Sequence, residues 1–419
     1  MARIKRTAGE VLDRLTTNPW TAFPIFILIV YVLFWCTFSL GQYPMDWIEA
    51  GVDALGGWLS GVLHPEWLKA VIVDGILAGV GGVLVFLPNI IILYLLISLM
   101  ESTGYMGRVA YIMDVVMHHL GLHGKSFIPM IMGFGCNVPA IMACKDIHPK
   151  KSRLVTVLII PFMSCSGRLP VYLLLVAAFF PEYGPLVLLG VYALGLVLGV
   201  LAAKLLSTIL PGICAHDHVE IKPYRAPEWG FVLGNTWDQA KEYLKKLSGP
   251  ILIFSVALWV LGYFPRAVEG TSAFEQKEQS CIGMVGHAID PILEPVGLNW
   301  RDGVALVAGV GAKELIVSTL GVMYSDGGGA VEAAGGDAAD VASAEDSLGL
   351  REAIRASHTP AGALAFIVFV LLYFPCIGTF VALKNATGTW RWPVISAVNS
   401  LLVAWLAAFA FFRIFSLLL

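Results

Sequence analysis

Charge is what this chain has least of. Asp, Glu, Lys and Arg make up 14% of its 419 residues, against 58% hydrophobic, well below the usage that keeps a soluble domain hydrated. A mean hydropathy of +0.78 points the same way. The net charge of -3 leaves no basic surplus, which excludes nucleic acid as a partner. A CxxC pair is missing as well: Cys36, Cys136, Cys144, Cys165, Cys214, Cys281 and Cys376 lie far apart, so the chain is no disulfide-stapled secreted domain. A phosphate-binding loop is also absent. The nearest approach, Gly121-Leu-His-Gly124-Lys125-Ser126, puts His119 where GxxxxGK[ST] needs its first glycine, and no strand precedes it. No small-residue cleavage site follows the first apolar run, which is therefore expected to stay as a helix and not to be removed as a signal peptide.

What is present are long apolar runs, near 21–41, 72–100, 154–180, 185–206, 248–264, 361–383 and 393–419. Each is long enough to span a hydrocarbon core. Two further stretches, 127–144 and 303–322, are shorter and broken by Gly, Pro or charge. Loop charge orients the whole: the N-terminus carries Arg3, Lys5, Arg6 and Arg14, and Lys145, Lys150, Lys151 and Arg153 follow the first broken stretch. Both are expected on the cytoplasmic side. Acid-rich loops flank 303–322 and are expected outside.

The reading that results is an all-α polytopic membrane protein. It has seven spans and two re-entrant or broken-helix segments, one opening from each side, as an inverted repeat. The expected divisions are a basic cytoplasmic N-terminus (1–20), a first helix and external loop (21–71), a first repeat (72–206), a cytoplasmic loop (207–247) and a second repeat (248–419) with a flexible external loop at 324–358. Gly133-Phe-Gly135-Cys136-Asn137 aligns with Gly309-Val-Gly311-Ala312-Lys313, and Pro161-Phe-Met-Ser-Cys165-Ser-Gly167 with Phe374-Pro-Cys376-Ile-Gly378. Broken helices meeting at membrane depth are how many transporters expose polar groups to a substrate.

The chemistry concentrates at those breaks. Gly135 and Pro139 bracket Cys136 and Asn137; Met163, Ser164, Cys165, Ser166 and Arg168 follow Pro161; Cys376 follows Pro375. Thiolates select soft or borderline transition metals over Mg or Ca, with Met132 and Met163 as weak thioether donors. This chemistry by itself leaves Fe(II), Zn(II), Mn(II) and Cu(I) open. Lys313 and Glu314, ionisable groups in the second broken segment, are candidates for the pathway: Glu314 as a cation-attracting carboxylate, Lys313 as its neutralising neighbour or a gating residue. Arg168 is a loop anchor or a gating residue, and Glu101 is a candidate for the cytoplasmic mouth. His118, His119 and His123, and His216 with His218, are read as solvated more readily than as ligands.

These same residues carry a resemblance. GFGCNVPAIMA at 133–143, PFMSCSGRLPVY at 161–172, DGILAGVGGVLVFLPNI at 74–90, ESTGYMGR at 101–108 and YFPCIG at 373–378 resemble the membrane domain of the FeoB ferrous-iron transporter family. The resemblance implies Fe(II) transport into the cytoplasm across a bacterial inner membrane, with the N-terminus cytoplasmic and a nucleoside-transporter-like Gate fold. It implies that Cys136, Cys165 and Cys376 line the iron path, with Glu314, Asn137 and Met163 as further ligand candidates. It implies a transporter and not an enzyme, with no permanently bound cofactor. Typical members begin with a GTP-binding domain that has no counterpart in this sequence, so a separate GTP-binding protein or a small soluble accessory protein is an expected partner, as is a homo-oligomer. A same-fold transporter of Zn or Mn and a non-transporting membrane sensor are the alternatives.

Overall fold

The computed structural model describes residues 13, 16, 18–63, 66–148, 150–210, 224–265, 273–324 and 346–418. The low-complexity stretch from Ser325, His216 with His218, and Cys214 lie outside them. The described residues are helical, without a strand. Among the described residues, seven helices are long and apolar enough to cross a membrane: Trp20–Val62, Ala70–Ser102, Lys150–Phe179, Gly184–Ile209, Trp229–Tyr263, Pro360–Thr387 and Arg391–Leu417. They coincide with the seven apolar runs. The helix Pro19–Val62, 44 residues in all, outruns its apolar stretch and continues through Pro44.

The chain divides into two compact units. One comprises Met1–Gly51, Gly81–Ile160 and Val200–Ser248, the other Val52–Val80, Pro161–Gly199 and Gly249–Leu419. In the first unit the outer helix turns Phe23, Ile27, Leu28, Tyr31 and Trp35 outward, side chains that lipid tails solvate as readily as protein does. In the second unit the helix Pro360–Leu372 is the opposite, buried along nearly its whole length from Ala361 to Leu372.

The breaks occur where the sequence removes helical hydrogen bonds. In the first unit the helix Phe127–Gly135 stops at Cys136, whose backbone is extended (φ -151°, ψ 130°), and Asn137–Ala143 restarts it. Pro139 has no N–H to return to the carbonyl four residues back. A side chain at 135 would run into the Phe34 ring, so glycine there suits the packing. The second unit holds three more interruptions. The 3-10 turn Ile160–Phe162 runs into an extended Cys165 (ψ 161°) before Leu169–Phe179. Helix Trp300–Ala308 is followed by a non-helical stretch to Leu315–Tyr324. Helix Pro360–Leu372 ends at Tyr373, and Ile377–Thr387 restarts after an extended Cys376 (ψ 158°).

At one end of the second unit, Asn299 and Asp302 form a capping box on Trp300–Ala308, satisfying the orphan N–H groups of that helix start. Asp302, 0% exposed, also accepts from Tyr324 Oη at 3.0 Å and lies 2.8 Å from His358 Nε2. His358 stands outside the spans, and its pKa is raised. Burial disfavours the charged ring, but the hydrogen bond and charge of Asp302 outweigh it.

Candidate functional site

The first unit supplies one break. Cys136 is half-buried there, and Asn137 is 4% exposed with no hydrogen-bond partner for its Oδ1. An unpartnered buried amide oxygen costs on the order of 1–3 kcal/mol unless something else fills it. Tyr94 Oη lies 3.5 Å from Met142 Sδ nearby in sequence. Cys144 turns away into packing and donates weakly to the Ala140 carbonyl. Glu101 ends the helix Leu87–Ser102 and is exposed, as an interfacial carboxylate should be.

The decoy loop has its own satisfied geometry. His123 Nδ1 accepts from Lys125 N at 3.1 Å and Asp114 Oδ1 from Gly124 N at 2.8 Å. Those backbone donors are already used. His123 is a buried cap and His119 bonds its own helix at the Val115 carbonyl.

The second unit brings three of its breaks together. Ile377 N donates to the Val310 carbonyl at 2.8 Å, stitching the segment after Cys376 to the one between Gly309 and Glu314. Lys313, 3% exposed, reaches across 61 residues of chain to donate to the Phe374 carbonyl at 2.7 Å, and its Nζ lies 3.3 Å from the Tyr373 ring centroid. Gly309 admits no side chain because Ile316 and the Tyr373 hydroxyl fill its Cβ position, and at Gly167 the Glu314 carboxylate occupies the corresponding space. The Cys165 break thus meets the segment between Gly309 and Glu314: Gly167, two residues after Cys165, lies against the Glu314 carboxylate. Arg168, 1% exposed, donates to the carbonyls of Pro161 and Met163 at 3.2 to 3.4 Å.

Around these lie two half-buried thiols, Cys165 and Cys376. Cys376 Sγ is 3.1 Å from Thr379 Oγ1. Ser164 is buried and pairs with the Tyr172 hydroxyl at 3.1 Å, while Ser166 opens the 3-10 turn that carries Arg168. Met163 is fully buried, its methyl against Gly199. Among the described residues, no group of three or more His, Cys, Asp or Glu side chains is gathered to hold a metal ion. Thr379, Tyr172 and Tyr373 escaped the sequence reading. A hydroxyl three residues after Cys376 was the visible signal for the first, since i and i+3 share a helix face; nothing local marked the other two.

A Gate domain model, described as nucleoside recognition, matches residues 83–179 and 244–390. A model for the ferrous iron transport protein B C terminus matches 188–239, between those segments. A Fe(2+) transport protein A/Fe(2+) transporter FeoB fusion protein of Porphyromonas gingivalis is 45% identical over 98% of this chain and 52% of its own length. The Fe(2+) transporter FeoB of Campylobacter jejuni is 40% identical over 99% of this chain and 67% of its own. The chain belongs to the FeoB family. A third FeoB, from Methanocaldococcus jannaschii, is 36% identical over 96% of this chain and 58% of its own. The chain thus spans about half to two thirds of the FeoB relatives it matches. No solved structure matches it. With its seven candidate spans, this FeoB-family chain is a multi-pass membrane protein with a Gate fold.

Proposed function

We propose that the chain conducts Fe(II) across the bacterial inner membrane into the cytoplasm, along a path whose ligands are the sulfurs at its broken helices. The printed activity of the FeoB relatives supports the substrate. The observation that carries the route is the meeting of the Cys165, Lys313–Glu314 and Cys376 segments in one unit, joined by Ile377 N to Val310 O and Lys313 Nζ to Phe374 O. Cys136 and the unpartnered Asn137 oxygen supply a further stage in the other unit.

Fe(II) sheds part of its hydration shell to Cys165, Cys376 and Glu314, and binding is weak enough to release it. No permanently bound cofactor is required. The basic N-terminus faces the cytoplasm, in keeping with the positive-inside bias. The fusion named in the Porphyromonas gingivalis relative supports a small soluble accessory partner. A GTP-binding protein and a second copy of the chain complete the proposed assembly.

The test is uptake of Fe(II) into proteoliposomes by the wild-type chain and by Cys136→Ser, Cys165→Ser and Cys376→Ser. Each variant is expected to slow uptake by about tenfold or more, and uptake at the wild-type rate by all three overturns the route.

A further inference from the structure

A helix broken at membrane depth frees carbonyl oxygens, and those oxygens are the ready-made ligands for a dehydrated cation. In the second unit two buried cations take three of them. Arg168 covers the carbonyls of Pro161 and Met163 at one break. Lys313 covers the carbonyl of Phe374, next to Pro375 and Cys376, at another. Both side chains are buried, at 1% and 3% exposure. The two differ in how firmly they are held. The Arg168 guanidinium has three bonds to its own loop. The Lys313 ammonium has one hydrogen bond, to a different segment, and the face of the Tyr373 ring. A single bond plus a cation–π contact is a weaker hold, on a flexible four-carbon stem.

We propose that Lys313 is a tethered stand-in for the transported ion: its ammonium occupies the cation position at the Phe374 carbonyl when the path is empty, and an arriving divalent cation displaces it. The proposal rests on the reading of Cys165, Cys376 and Glu314 as the iron ligands and adds what opposes binding there. Two positive charges beside the thiols weaken the hold on a dication, because like charges repel strongly where water is excluded. One of them can leave. Entry of the ion moves Lys313 off Phe374, and return of the ammonium expels the ion, so the site binds and releases without trapping its cargo. Arg168 stays in place and fixes the loop that presents Cys165.

The experiment is anaerobic equilibrium binding of Fe(II) to the purified full chain, beside Fe(II) flux in proteoliposomes. Lys313→Met keeps the length and apolar bulk of the side chain and removes its charge. It is expected to bind Fe(II) about tenfold tighter or more and to transport it more slowly, and adding Cys376→Ser is expected to abolish the gain. A merely structural lysine predicts weaker binding and a lowered melting temperature instead, and that result, or unchanged affinity, overturns the proposal.

A second measurement stands even if Lys313→Met does not fold. In the wild-type chain, acylation of Lys313 by an amine reagent, mapped by mass spectrometry, is expected to rise with Fe(II) occupancy. Equal protection with and without Fe(II) overturns the displacement. If thiol-dependent Fe(II) binding is present but blind to Lys313, only this proposal fails; if the wild-type chain binds no Fe(II), the iron reading fails with it.

Discussion

Replacing Asp302 by Ala tests how the second unit holds its end together. The carboxylate is fully buried and accepts from Asn299 N at 2.9 Å and Tyr324 Oη at 3.0 Å, with His358 Nε2 at 2.8 Å. Removing one partner of a buried charged pair costs about 3–5 kcal/mol, so a loss of that size is expected at low pH. The sign of the pH dependence is the sharper signature. His358 is raised above its ordinary value, so in the wild-type chain its pairing stabilises fully below a pH of about 6.5. That stabilisation fades as pH rises through the higher folded-state value.

In Asp302→Ala, burial, the largest influence on His358, is opposed only by its bond to the Ile354 backbone and lowers its pKa, so the trend reverses and the variant loses stability as pH falls. Thermal unfolding in detergent between about pH 5.5 and 8.5, above the range where ordinary carboxylates titrate, compares the two. Parallel pH profiles for wild type and variant would refute the reasoning. Arg301, whose guanidinium lies 5.4 Å from the Tyr324 ring centroid, stays charged in both, and Tyr324, which loses its acceptor in the variant, stays un-ionised across this range, so neither adds a slope.

Other expectations follow from single positions. Gly167→Ala puts a methyl where the Glu314 carboxylate lies; that carboxylate is the far end of a flexible side chain and can swing aside, so the melting temperature should hold to within an amount equivalent to about 0.5 kcal/mol while Fe(II) flux slows. Asn137→Leu removes a buried oxygen that has no partner; thermal stability should hold or rise, while Fe(II) uptake falls if that oxygen meets the ion. Arg108, 1% exposed, bonds Asp13 and the Gly104 carbonyl and lies 3.6 Å from the Tyr224 ring centroid. Arg108→Met should therefore speed limited proteolysis ahead of residue 19, and unchanged cleavage would show that this contact does not restrain the N-terminal segment.

Hydropathy alone located the seven spans, because crossing a hydrocarbon core demands about 20 apolar residues in a row. It also located the breaks, since Gly133, Gly135 and Pro139, or Pro375 before Cys376, remove helical bonds whatever the surroundings. Partnerships across long stretches of chain left no local trace. Lys313 beside Glu314 reads in sequence as a neutralising pair, yet its hydrogen bond goes to Phe374, 61 residues on. Neither Asp302 nor His358 stands out in the sequence, although they meet across 56 residues. Arg168 was legible as an anchor because its partners, Pro161 and Met163, lie within seven residues. Local chemistry is written locally, whereas tertiary polar contacts depend on which segments the fold brings side by side.

The central claim is that sulfur from the broken helices holds the ion. X-ray absorption at the iron edge on the Fe(II)-loaded chain tests it directly. Sulfur is expected in the ligand shell of the iron, diminished in Cys165→Ser and again in Cys376→Ser. A shell of oxygen and nitrogen alone, unchanged by either substitution, would contradict it.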